Sequence, residues 1–80
     1  MTKRELEKLN FERVEVTTEE SGGEPFYYYI REVFDSLTLI SEEVNDPNKV
    51  KVFVFDSDKE LADTHVIEIC KLFDKIKNRL

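Results

Sequence analysis

Phe26-Tyr-Tyr-Tyr-Ile-Arg-Glu-Val-Phe34 is the stretch on which the fold turns. Aromatic and β-branched side chains dominate it, with no glycine or proline, and such residues favour a pleated, half-buried backbone. Alternation sends Phe26, Tyr28, Ile30 and Phe34 to one side and Tyr27, Tyr29, Arg31 and Val33 to the other. Both faces of this strand are therefore rich in apolar surface. Upstream, Phe11-Glu-Arg-Val-Glu-Val16 also has a period of two, with Val14 and Val16 on one face and charges between them, the pattern of a half-buried strand. The segment joining the two, Thr17 to Pro25, holds Glu19, Glu20, Ser21, Gly22, Gly23 and Glu24 and reads as a polar loop. Downstream, Asp35-Ser36 is a tight turn into a third strand, Leu37 to Ser41. A loop around Asn45-Asp-Pro-Asn48 then leads to a fourth strand, Val50 to Phe55.

Helices are expected at both ends. Thr2 and Glu5 stand at capping-box spacing, with Met1 and Leu6 placed as a hydrophobic staple, so residues 2 to 9 form a short helix. It is too short to be helical alone and must dock on something. Near the C-terminus Val66, Ile69, Cys70, Phe73, Ile76 and Leu80 recur at spacings of three and four, a wide apolar stripe, with Lys71, Asp74, Lys75 and Asn78 opposite. Ser57 with Glu60 would start this helix early, whereas Asp63 or Thr64 would cap a later start, which we favour. Lys71, Lys75, Lys77 and Arg79 crowd its last turns, where the helix dipole favours positive charge. Short links between strands favour an antiparallel meander. The expected fold is α+β: a short N-terminal helix, a four-stranded antiparallel meander, and a long C-terminal amphipathic helix packed on one sheet face, in one domain over residues 1–80.

Composition removes several classes of function. The chain has 80 residues, 18 acidic against 12 basic side chains, and a net charge of −6. That balance argues against nonspecific binding to nucleic acid or anionic lipid. No apolar run approaches the ~18 residues of a membrane span. Met1-Thr-Lys-Arg-Glu-Leu-Glu7 is too charged for a signal peptide. Cys70 is the single cysteine, so neither an intramolecular disulfide nor a cysteine-based zinc site is expected, and a cytoplasmic setting is the better reading.

Two helices can cover only one face of a sheet. Tyr27, Tyr29, Phe53 and Phe55 are therefore expected on the uncovered face as a partner-binding patch, tyrosine suiting such a surface because its ring is apolar and its hydroxyl stays wet. The alternative is that loops fold over that face, or that the second strand bulges. Aromatics on a sheet also serve RNA-binding platforms, but here only Arg31 and Lys51 accompany them among carboxylates, so nucleic acid is not the expected partner. Asp56, Asp58, Glu60 and Asp63 invite a cation. They fail the calcium-loop pattern, since Leu61 stands where its glycine belongs and Ile67 where its last carboxylate belongs. His65 and Cys70, five apart, fall on different sides of a helix and make no nucleophile–base pair. No catalytic residue, cofactor or metal site is expected.

Leu9-Asn-Phe-Glu-Arg-Val14, Glu19-Glu-Ser-Gly22 and Pro25-Phe-Tyr-Tyr-Tyr29 together resemble a family of small bacterial and phage-type α+β proteins of about this length, with no assigned function. The resemblance implies the fold and a bacterial or phage setting, and it transfers no functional residue. The expected function is a non-enzymatic protein-interaction or homodimerising module. Its runner-up is an acidic inhibitor that imitates nucleic acid to block a basic protein surface, resting on the carboxylates of the 19–24 and 42–46 loops. A remote third is a divalent-metal activity at the 56–63 turn.

Overall fold

The computed structural model describes residues 1–34 and 37–78. Its first element, α1 (Lys3–Lys8), begins as its capping residues dictate: the Thr2 hydroxyl accepts from the Glu5 N–H at 3.1 Å, and the Glu5 carboxylate accepts from the Thr2 N–H at 3.1 Å. Met1 and Leu6 are both buried, which docks this short helix on the sheet.

The chain then runs as an antiparallel meander. The strands are β1 (Glu12–Val16), β2 (Phe26–Glu32), β3 (Thr38–Ser41), β4 (Val52–Val54) and β5 (Lys59–Leu61), in spatial order β1-β2-β3-β4-β5. The sheet therefore has five strands rather than the four expected. The additional strand, Lys-Glu-Leu, is three residues long and mostly charged. It forms because Asp58, at φ 55, closes a tight turn in which its N–H donates to the Val54 carbonyl at 2.9 Å. The polar segment after β1 is also less irregular than expected. It holds one helical turn, α2 (Thr18–Ser21), capped reciprocally by Thr17 and Glu20 and ended by Gly22 at φ 74. The expected turn at Asp35-Ser36 lies outside the described residues.

The last element, α3 (Asp63–Lys77), takes the later of the two starts. Neither Asp63 nor Thr64 caps it, because its N-cap is Ala62, which makes no side-chain bond. Val66 and Cys70 are fully buried against the sheet, Ile69 and Phe73 are partly so, and Ile76 is 42% exposed. The apolar stripe thus contacts the sheet along one side only, and the expected contribution of Leu80 lies outside the described residues.

The terminal helices α1 and α3 sit on the same face of the sheet. The core beneath them is built from Leu6, Phe11, Tyr29, Val33, Leu39, Val50, Val52, Val66 and Cys70. Two polar side chains organise this layer. Ser41, 5% exposed, accepts from the Tyr29 N–H at 2.8 Å through its hydroxyl, which donates in turn to the Glu42 carbonyl at 2.9 Å. The side chain thus replaces a backbone partner where β2 and β3 part. Arg31 ties three elements together: it donates to the Leu9 carbonyl at the end of α1 (2.6 Å) and forks onto the Asp74 carboxylate of α3. Asp74, expected on the solvent side of the helix, instead turns toward the sheet to meet it.

Candidate interaction face

The register assigns every strand residue to a face. Arg13, Glu15, Tyr27, Tyr29, Arg31, Leu39, Ser41, Val52, Val54, Lys59 and Leu61 share the helix-covered side. The other side is assembled from cross-strand rows. One crosses all five strands, Glu12–Ile30–Ile40–Phe53–Glu60. Val14–Tyr28 and Val16–Phe26 lie above it. Below it Glu32 faces Thr38, and the Phe55 N–H donates to the Thr38 carbonyl at 2.9 Å, which sets Phe55 on the same side.

This outer side is apolar, and no helix of the described residues packs on it. Val14, Val16, Phe26, Tyr28, Ile30, Ile40 and Phe53 are each only partly buried, and Phe55 is 55% exposed. Among the described residues, the core and the side chains packed on it include Tyr27 and Leu61 but none of those eight. Neighbours directly opposite in a sheet lie about 5 Å apart, close enough for these side chains to shield one another in part. The rim is acidic: Glu12 and Glu60 end the long row, Glu32 stands beside Ile30, and all three are exposed. Lys51 adds a basic group beside Phe53, its N–H held by the Glu42 carboxylate at 3.3 Å, and Lys77 adds another at the lower end. The lower end of the face opens into a shallow recess of about 660 Å³ between Ile30, Phe55 and the last turns of α3.

The four residues expected to form the patch are therefore divided. Phe53 and Phe55 lie on the open face. Tyr29 does not: it is 1% exposed, and its hydroxyl donates to Glu7 at 3.3 Å on the helix side. Burial, with the Glu7 charge beside it, pushes the Tyr29 phenol above its usual pKa. Tyr27 is shielded as well, its ring edge-on to Tyr29 at 6.0 Å and capped by the Arg13 guanidinium at 3.9 Å. Val14, Val16, Phe26, Tyr28, Ile30 and Ile40 take their place. Only pairing register, which single-strand alternation does not contain, tells that Phe53 aligns with Ile40 and Ile30 rather than with Tyr29.

The remaining candidates stay apart. Among the described residues, no three His, Cys, Asp or Glu side chains converge as a metal site requires, and Asp56, Asp58, Glu60 and Asp63 are each exposed around the β4–β5 turn and the start of α3. His65 is exposed while Cys70 is fully buried. Burial raises the Cys70 thiol above its usual pKa, with Arg31 opposing, and a protonated, enclosed thiol is a poor nucleophile. Among the described residues, no helix is long and apolar enough to cross a membrane. No protein-family profile, no curated protein and no solved structure matches this chain.

Proposed function

We propose that this chain is a non-enzymatic protein-interaction module, and that the outer sheet face receives a partner protein with an apolar patch ringed by lysine and arginine. The observation that carries the reading is the Glu12–Ile30–Ile40–Phe53–Glu60 row, apolar in the middle and acidic at both ends. Apolar centres surrounded by charge are the usual anatomy of an interface, with the rim setting partner choice.

The acidic-mimic reading uses the same charges without the apolar floor, so one experiment separates the two. Affinity purification with wild type, Ile40→Lys and Phe53→Lys at low and high salt should yield a partner that both substitutions remove. Each variant should keep its thermal midpoint, because neither side chain supports the core. Raising salt should weaken the complex only in part, as screening acts on the rim and leaves apolar burial intact. A partner retained by both lysine variants and lost completely in salt would instead favour the charge mimic.

A further inference from the structure

The outer edge of the sheet is a second surface, independent of the face just described. β1 is paired on one side only, and its Glu12, Arg13 and Glu15 are exposed. Which backbone groups point outward follows from β2. The Tyr29 N–H turns toward β3 to reach Ser41, and the Tyr27 carbonyl accepts from the Val44 N–H at 2.9 Å on that same side. Their register partners in β1, Arg13 and Glu15, therefore sit in the wide, non-bonded positions of the β1–β2 ladder. The N–H and C=O groups of Arg13 and Glu15 face away from the sheet, and among the described residues no strand receives them.

We infer that this edge pairs with β1 of a second copy, antiparallel about a two-fold axis at Val14, joining the two five-stranded sheets into one. In that register Arg13 stands opposite Glu15 of the other copy, and Glu15 opposite its Arg13. Each pair then exchanges two N–H···O bonds, satisfying the outward groups, and Val14 meets Val14 on the outer face.

Charge selects this register over its neighbours. Arg13 and Glu15 are already joined within one chain at 2.9 Å on the helix-covered side. Pairing about Val14 adds the same two residues in opposite order, making a square in which each charge faces its opposite. A slip of two residues one way sets Arg13 against Arg13, and the other way Glu15 against Glu15. A slip of one residue turns the bonding groups out of phase. The strand also has no proline, and its register with β2 runs on without a bulge, two devices that commonly protect an edge from pairing. The occupant is thus a second copy of this chain, and the interface is isologous. Such a pair would also make the two outer faces continuous, doubling the surface available to a larger partner.

Sedimentation equilibrium over a wide concentration range tests this with a charge-swap set. Wild type should approach twice the 9.5 kDa monomer mass at high concentration. Arg13→Glu and Glu15→Arg, which turn both cross-strand pairs repulsive, should each weaken self-association by about tenfold or more. The double variant R13E/E15R restores opposite charges in the same register and should recover most of the lost affinity. Phe53→Lys, remote from the edge, should self-associate as wild type does. A wild type that stays monomeric overturns the inference, as does a double variant no better than the singles. Self-association lost in Phe53→Lys but kept in the charge reversals would overturn it too, and would assign dimerisation to the sheet face.

Discussion

Tyr29→Ala should lower stability by about 3–5 kcal/mol, whereas Tyr28→Ala, one residue away, should cost about 1 kcal/mol or less. The contrast follows from which side of β2 each ring occupies. Tyr29 is 1% exposed beneath α1, meets Tyr27 edge-on and donates to Glu7, so truncation opens a cavity in the centre of the core. Tyr28 is partly buried on the open side, where Val14 stands opposite it across the strand pair. Urea unfolding of the two variants measures the difference as separate midpoints with a common slope. Equal losses would mean that both faces of β2 are enclosed and would remove the open face. A reversal would mean that the register is shifted by one residue.

The second large effect belongs to Asp74. Asp74→Ala leaves the Arg31 guanidinium, 9% exposed, with the Leu9 carbonyl as its remaining partner. An uncompensated charge in that position should cost about 2–4 kcal/mol, since breaking a buried pair is far more harmful than never having had one. The 37% exposure of Asp74 holds the figure below that of a fully enclosed pair. Arg31→Met should do less damage, because the freed carboxylate can reach water and the methionine keeps contact with Phe73. The double variant R31M/D74L should recover most of the loss. Thermal unfolding of the three proteins separates these outcomes. If Arg31→Met proves as harmful as Asp74→Ala, the cost arises from losing the tie to α1 and α3 rather than from a stranded charge.

Much of the architecture was legible because its signals are local. Thr2 and Glu5 announce α1, period-two runs announce β1 to β4, and the spacing of Val66, Cys70 and Phe73 announces α3. What escaped was set by tertiary pairing. Lys59-Glu-Leu61 carries too few residues and too much charge to show as a strand, and only the αL turn at Asp58 lays it beside β4. The faces of β2 were equally obscure, since both bear aromatics. Charge pointed the wrong way there as well. Arg13, Glu15 and Arg31 mark the helix-covered side, where the long arginine side chains reach Tyr27 or Asp74 while their stems pack. Val14 and Val16, which read as an inward face, are on the open one.

The most direct measurement is solvent paramagnetic relaxation of side-chain protons by a neutral gadolinium chelate, at a concentration where the protein is monomeric. Tyr28, Ile30, Ile40, Phe53 and Phe55 should relax strongly, while Tyr29, Leu39, Val52 and Val66 remain protected. Protection of Ile30 and Ile40 as complete as that of Leu39 would contradict an open apolar face, and with it the surface on which the proposed function rests.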